Sequence, residues 1–154
     1  MPLDNFSLVE QRENGARLFR SAQPDPDAFA TAISLGVSKI YNVREQCPRQ
    51  CNATIECDCV VWPVSTFRTD ATDVAALVGF IDADLQSGKS ALVHCQWGRD
   101  RTGCVIAAYR LMVNKWSLEA ALAERALFGT NPLVDVADTA ILDVLRTIAA
   151  GQRT

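Results

Sequence analysis

The feature that most constrains this chain is a short apolar stretch that runs into a glycine-containing turn and then into a longer apolar stretch. Ala91-Leu92-Val93-His94 predicts a buried strand, and the apolar residues from Cys104 to Val113 predict a buried helix. The loop between them therefore lies at the carboxyl end of a strand and at the amino terminus of a helix. Binding sites of open α/β sheets form at this position.

The rest of the chain continues this alternation of strands and helices. Further strands are predicted at 18–21, 37–43 and 57–64, and helices at 26–35, 72–85, 117–127 and beyond Asn131-Pro132. The alternation predicts an α/β fold of three layers, with a central, mostly parallel sheet of about four to five strands flanked by helices. We expect residues 1–154 to form a single domain, which is an ordinary size for one hydrophobic core.

Composition and charge exclude several classes of partner. The 154-residue chain carries a net charge of -3, and its arginines are scattered rather than clustered, so we expect no binding to nucleic acid. No segment approaches the roughly 18 apolar residues of a membrane span, so we expect no integral membrane association. A soluble, cytoplasmic protein without a cofactor is the resulting expectation.

The loop after the predicted strand has the residues that phosphate chemistry needs. Backbone amides of a tight loop, together with the positive end of the following helix, form a nest for a tetrahedral dianion. Cys95 opens the loop inside this positive field, which favours the nucleophilic thiolate over the thiol. Arg101, across the loop, can place its planar fork on two phosphoryl oxygens. Cys95 is therefore the predicted nucleophile and Arg101 the predicted phosphate-binding group.

The other loop residues have supporting roles in this prediction. The hydroxyl of Thr102 can donate towards the thiolate and help Cys95 to depart from a thiophosphate intermediate. His94 is expected to orient the loop through backbone hydrogen bonds rather than to titrate. The residues expected to contact substrate are Gln96, Trp97, Gly98, Arg99, Asp100 and Gly103.

These residues carry a resemblance to a known family. The segment from His94 to Gly103 matches the His-Cys-x5-Arg-Thr signature of the protein tyrosine phosphatase superfamily, and its Asp-Arg-Thr-Gly ending resembles the compact dual-specificity branch, especially small bacterial members. Three upstream segments, Leu18 to Pro24, Tyr41 to Glu45 and Trp62 to Val64, resemble segments that these enzymes carry in the same order. The resemblance implies the phosphatase fold and a reaction through a cysteinyl-phosphate intermediate.

The resemblance also implies a general acid on a loop upstream of the cysteine. Asp70 is our choice, because it lies between the strand predicted to end near Pro63 and the helix that begins near Thr72. Asp73 is the second candidate, although an aspartate there also stabilises the first turn of a helix. Asp100 is the third, because myotubularin-like lipid phosphatases place an aspartate at the matching position before the arginine.

The substrate is left open between related phosphate monoesters. A protein phosphotyrosine with dual specificity is favoured, and a phosphoinositide or an inositol phosphate is the alternative, because Arg99 adds a charge beside Arg101. A phosphate-binding module without turnover is the non-enzymatic alternative. Arg20, Arg44 and Arg68 either line the rim of the pocket or are ordinary solvated arginines.

Four further cysteines lie close together at Cys47, Cys51, Cys57 and Cys59. Four thiolates suggest zinc, but the spacing fits structural zinc sites poorly, and we expect no metal. Related lipid phosphatases have a cysteine placed as Cys57 is, which forms a reversible disulfide with the nucleophile. That resemblance implies Cys57 as a redox partner of Cys95.

Overall fold

The computed structural model describes residues 5–44, 58–61, 70–129 and 135–152. The elements in chain order are β1 Ser7–Gln11, β2 Arg17–Ser21, α1 Pro26–Ser34, β3 Val37–Asn42, β4 Asp58–Val61, α2 Ala71–Gln86, β5 Ser90–His94, α3 Asp100–Met112, α4 Leu118–Leu127 and α5 Asp135–Gly151. Helix ends follow local chemistry: Asp25, Asp70 and Ser117 each cap a helix by accepting a hydrogen bond from a backbone amide of its first turn.

The strands form one sheet in the order β1-β2-β5-β3-β4. Strand β5 lies at its centre and pairs in parallel with β2 and β3, while β4 extends the parallel part beyond β3. Only β1 runs antiparallel, on the edge beside β2, within the part of the chain that the structure describes. The predicted fold class, a three-layer α/β domain with a mostly parallel sheet of this size, is confirmed.

Helices cover both faces of the sheet, which explains why β5 is buried along its whole length. On one face, Phe29 and Ala32 of α1 pack with Phe19, Ile40 and Leu92. On the other face, residues of α2, α3 and α5 form the larger core with Ala91 and Val93. Alternate residues of β5 therefore point into different cores, as the pleat of a strand requires.

Two features differ from the sequence prediction. Strand β1 was not predicted, because Ser7–Gln11 is short and only partly buried on a sheet edge, so it lacks a clear alternating pattern. Helix α3 begins at Asp100 rather than at Cys104. The predicted loop residues Asp100, Arg101, Thr102 and Gly103 therefore lie in the first turn of a helix. The amino end of a helix precedes its first intrahelical hydrogen bond, which here runs from Gly103 N to Arg99 O.

The described residues contain no helix with the length and apolar character needed to cross a membrane. They also contain no group of three or more His, Cys, Asp or Glu side chains that could hold a metal ion. Cys47, Cys51 and Cys57 lie outside the described residues. Cys59 lies in β4, and its side chain is not described.

Candidate active site

The pairing of the central strands determines where the predicted catalytic loop emerges. His94, the last residue of β5, is opposite Ser21 at the end of β2 and opposite Asn42 at the end of β3. The loop that begins at Cys95 therefore leaves the middle of the sheet, with the exits of two parallel strands on either side. This is the edge at which parallel sheets form their sites.

The carbonyl groups of the loop are held from outside by hydrogen bonds. The donor and acceptor pairs are Val43 N to His94 O at 3.0 Å, Gln23 N to Gln96 O at 3.0 Å, Asn5 Nδ2 to Trp97 O at 2.6 Å and Arg20 Nη2 to Gly98 O at 3.0 Å. The Arg99 carbonyl instead accepts from Gly103 N at 2.7 Å, within the first turn of α3. Donors from three separate parts of the chain thus fix the orientation of the peptide groups.

One backbone amide of the loop points to the predicted nucleophile. The Gly98 amide donates to the Cys95 sulfur at 3.2 Å. Cys95 itself is buried, with 2% of its surface exposed. The sulfur of the predicted nucleophile therefore lies at the base of the loop, in contact with a backbone amide donor.

The two residues predicted to assist Cys95 both lie in the first turn of α3. Arg101 is half-buried and Thr102 is fully buried. The Thr102 hydroxyl has no hydrogen-bond partner among the described residues. A buried hydroxyl of this kind is costly unless it gains a partner, so it is available to bond a group that enters the loop.

His94 is buried beneath the loop and behaves as a neutral side chain. Burial, opposed by the hydrogen bond to the Cys95 carbonyl and assisted by the positive charge of Arg44, lowers its pKa from 6.5 to about 4. Its Nδ1 lies 3.2 Å from the Cys95 carbonyl oxygen. A carbonyl can only accept, so Nδ1 carries the proton and orients the peptide that follows the nucleophile.

Gly98 permits the close approach of the loop to β2. Its φ of +69° lies in the left-handed region, and a Cβ atom there would stand 2.7 Å from the Ala22 nitrogen and 2.8 Å from the Ser21 oxygen. These are backbone atoms at the end of a paired strand, which cannot shift as a flexible side chain could. Only glycine fits this position without moving the loop.

Two buried arginines behind the loop were missed by the sequence analysis. The Arg20 side chain, which we expected at the pocket rim or in solvent, is 1% exposed and lies 3.6 Å from the ring centre of Phe128. Burial lowers its pKa to about 10, so it remains a cation at neutral pH. Its position inside an apolar strand, two residues after the buried Leu18, was the signal that its side chain faces the interior.

The second buried arginine is Arg125 of α4. The Nη2 atom of Arg125 lies 3.8 Å from the Asp100 carboxylate. The Arg125 side chain also packs against Gly103, where an added Cβ atom would stand 3.2 Å from the Cγ atom of Arg125. Gly103 therefore lets α3 and α4 approach each other directly behind the loop. Asp100, predicted to contact substrate, has its carboxylate near a buried cation of α4 instead.

The predicted general acids lie at the start of two helices. The Oδ1 atom of Asp70 accepts from the amides of Thr72 at 2.7 Å and Asp73 at 3.4 Å, so this exposed aspartate is the N-cap of α2. Asp73 is exposed in the first turn of the same helix. The segment 62–69, which connects β4 to Asp70, lies outside the described residues, and so does Arg68.

The remaining loop residues form the rim of the site. Gln96 and Arg99 are exposed, and Trp97 keeps 58% of its surface accessible to solvent. Asn5, outside any strand, fixes the Trp97 peptide by its hydrogen bond to the carbonyl oxygen. Cys104, the other cysteine with a described side chain, is buried in α3, where burial raises its pKa to about 12 and keeps it a thiol.

Comparison with protein families gives one match over the part of the chain that contains this site. Residues 22–125 match the family model described as dual specificity phosphatase, catalytic domain. Among characterised proteins, the dual specificity protein phosphatase TpbA of Pseudomonas aeruginosa is 29% identical over 121 residues, which are 79% of this chain and 55% of that protein. The chain thus spans about half the length of the curated relatives it matches.

Several solved structures align with this chain over most of its length. The crystal structure of P. aeruginosa TpbA aligns with a TM-score of 0.71 and 27% identity, covering 86% of both chains. The structure of Tk-PTP aligns with a TM-score of 0.75 at 16% identity over 96% of each chain. Human DUSP28 aligns with a TM-score of 0.73 at 19% identity, covering 96% of this chain and 95% of its own. The last two show that the fold is shared.

Proposed function

The chain belongs to the dual specificity phosphatase catalytic-domain family, and from this membership we propose that it hydrolyses phosphate monoesters with Cys95 as nucleophile. The observation that carries the proposal is the Gly98 amide aimed at the Cys95 sulfur, 3.2 Å away, in a loop whose carbonyls are held outward. This arrangement supplies amide donors where negative charge lies on a transferring phosphoryl group.

The proposed substrate is phosphotyrosine in a protein, with dual specificity for phosphoserine and phosphothreonine. A variant of the relative TpbA has been crystallised in complex with pTyr, at 26% identity to this chain. The exposed rim formed by Gln96 and Trp97 supports this choice, because an open rim accepts a phosphorylated side chain that projects from a peptide.

In the first step, the Cys95 thiolate attacks phosphorus in line with the ester oxygen. A sulfur–phosphorus bond forms, the phosphorus–oxygen bond to the substrate breaks, and the leaving oxygen takes a proton from the general acid. Arg101 and the loop amides hold the equatorial oxygens of the phosphoryl group through this step. The products are the dephosphorylated side chain and the cysteinyl-phosphate.

In the second step, water attacks the cysteinyl-phosphate and gives a proton to the general base, which is the acid of the first step. The phosphorus–sulfur bond breaks, and inorganic phosphate and the Cys95 thiolate are formed. The Thr102 hydroxyl, which has no partner among the described side chains, donates to the departing sulfur and stabilises its charge. Arg101 retains the phosphate until hydrolysis is complete.

Asp70 is the proposed acid. Both amide hydrogen bonds of its helix cap go to Oδ1, so Oδ2 can carry the transferable proton while the cap stays intact. The exposure of Asp70 leaves its carboxyl group open to the leaving oxygen of a substrate.

Hydrolysis of p-nitrophenyl phosphate tests the proposal directly. We expect wild type to release p-nitrophenolate. Cys95→Ser should lose turnover, because a serine hydroxyl is a much weaker nucleophile than a cysteine thiolate at neutral pH. The matched control is Cys104→Ala, which removes the other buried thiol with a described side chain and should retain activity. If wild type binds phosphate but does not turn over any ester, the chain is a phosphate-binding module.

Parallel assays on phosphotyrosyl peptides and on inositol phosphates separate the two substrate classes. A higher kcat/KM on the peptides supports the protein phosphatase, and the reverse order supports the phosphoinositide or inositol phosphate alternative. The cytoplasmic location expected from the sequence stays a prediction. Fractionation of cells that produce the full-length protein tests it.

A further inference from the structure

The two strands beside β5 bring a second set of polar side chains to the catalytic edge. Ser21 and Asn42 are both opposite His94, so the residues that follow them, Gln23 and Arg44, leave the sheet on either side of the nucleophile loop. There the Nη1 atom of Arg44 donates to Gln23 Oε1 at 3.2 Å. This contact bridges the exits of β2 and β3.

A cleft opens beside this bridge, with a volume of about 610 Å³. Its described lining residues are Asn5, Ala22, Gln23, Arg44, Gln96, Trp97 and Arg99. Three of them belong to the nucleophile loop, so the cleft adjoins the proposed phosphate site. Neither Cys95 nor Arg101 is among them, which makes the cleft a neighbouring space rather than the bed of the scissile phosphate.

The cleft has a positive lining in a chain whose net charge is -3. Arg44 and Arg99 supply two guanidinium groups, and none of the described lining residues is acidic. Within the described part of the chain, the Arg44 guanidinium donates one hydrogen bond, to Gln23, so further N–H groups of its fork are available. A concave surface lined by one sign of charge concentrates ligands of the opposite sign.

Arg44 is also held in place for such a role. Its backbone amide donates to Asn42 Oδ1 at 2.9 Å, and Asn42 is fully buried. The preceding amide, that of Val43, donates to the His94 carbonyl at 3.0 Å. The main chain that carries Arg44 is therefore tied to the base of the catalytic loop, and its side chain is half-buried rather than free in solvent.

We propose that this cleft is a subsite for a second anionic group on the substrate peptide, an acidic side chain or a second phosphate near the phosphotyrosine, bound by Arg44 and Arg99. The inference rests on the proposed function and names the substrates that the enzyme prefers. A volume of about 610 Å³ exceeds what one phosphoryl group occupies and admits a peptide side chain. Trp97 adds an exposed indole face, 58% accessible, against which peptide carbon atoms can pack.

Matched phosphotyrosyl peptides test this subsite. One peptide has alanines beside the phosphotyrosine, a second has glutamates there, a third has lysines, and a fourth has a phosphoserine. Wild type should show a kcat/KM for the glutamate and phosphoserine peptides about three- to fivefold above that for the alanine peptide, and the lysine peptide should be the poorest. The preference should shrink as salt is raised, because ion pairs at an open cleft are screened.

Variants at Arg44 assign the preference to the cleft. Arg44→Gln removes the charge but keeps a side chain able to bond Gln23, so the ratio of kcat/KM between the glutamate and alanine peptides should fall to about one. Arg44→Lys should retain much of the preference, and Arg44→Glu should invert it towards the lysine peptide. Arg146→Gln is the matched control, because it removes one exposed arginine from α5, where its recorded ion pair is with Asp143.

Failure of this inference is distinguishable from failure of the proposed function. If wild type cleaves the alanine peptide and shows no preference among the four, the subsite is wrong and the phosphatase proposal stands. If Arg146→Gln abolishes the preference as strongly as Arg44→Gln, overall charge rather than the cleft is responsible, and the inference is again wrong. If no peptide is cleaved but inositol polyphosphates are, both the peptide subsite and the protein substrate are overturned.

Discussion

Arg20 and Gly98 are 78 positions apart in the sequence, yet Nη2 of Arg20 donates to the Gly98 carbonyl at 3.0 Å in the buried space behind the loop. The bond turns this peptide so that its carbonyl faces the core. We therefore predict that Arg20 is a positioning residue, which affects catalysis by orienting the loop.

Replacement of Arg20 by Met should lower kcat for p-nitrophenyl phosphate by about tenfold or more, because misplaced loop amides no longer match the transition state. Steady-state kinetics at several pH values measure this, and the folded fraction is checked by circular dichroism. Arg17→Met is the control: Arg17 lies on the same strand and bonds the Leu35 carbonyl, away from the loop. Equal losses in both variants would mean that Arg20 only stabilises the fold.

Gly98→Ala should reduce both activity and stability. The new Cβ would meet backbone atoms of β2 at 2.7 Å, and alanine is strained at a φ of +69°. We expect a loss of about 2 kcal/mol or more in the free energy of unfolding, measured by urea titration. Gly79→Ala is the control, because Gly79 lies in α2 with open space around it, and there alanine should stabilise by up to about 1 kcal/mol. A fully active Gly98→Ala enzyme would contradict the close packing.

The buried His94 should make stability depend on pH in a defined window. Its pKa is lowered by burial to about 4 in the folded state, against 6.5 when unfolded, so the unfolded chain binds the extra proton first. Stability from this residue is complete above pH 6.5 and falls as the pH drops from there towards 4. Between pH 7 and 5 the loss should be about 2 kcal/mol.

The variant His94→Asn isolates this contribution, because its amide can replace the Nδ1 hydrogen bond to the Cys95 carbonyl without titrating. Urea unfolding of both proteins at pH 5 and 7 gives the difference. Wild type should lose more stability than the variant over this interval. Equal losses would show that His94 does not stay neutral in the folded protein.

The pH–rate profile distinguishes the three acid candidates. If Asp70 protonates the leaving group, Asp70→Asn should lose the basic limb of the kcat/KM profile and most of its activity, by about 100-fold on a substrate with a poor leaving group. Asp73→Asn and Asp100→Asn should keep the limb, since Asp73 stands in a helix turn and Asp100 faces Arg125. If Asp70→Asn keeps the basic limb of the pH–rate profile and another variant loses it, the residue replaced in that other variant is the general acid.

Much of the fold could be predicted because its signals are local. The apolar strand that ends at His94, the amphipathic pattern of α2 and the cap at Asp70 are all encoded within a few residues. The resemblance to dual-specificity phosphatases, recognised from the segment between His94 and Gly103, is confirmed by the family match over residues 22–125. The edge strand β1 could not be predicted, because its half-exposed residues have no clear alternating pattern and form a strand only by pairing with β2.

The sequence by itself determined the family and predicts which residues do the chemistry, because the spacing of Cys95, Arg101 and Thr102 is a property of one continuous segment. Only the tertiary structure decided what orients them. Asn5, Val43 and the end of β2 with Arg20 and Gln23 are three separate parts of the chain, and each of these four residues holds one loop carbonyl outward. Hydrogen bonds between residues so far apart in sequence leave no local pattern, since they form only when the sheet brings three strand ends together.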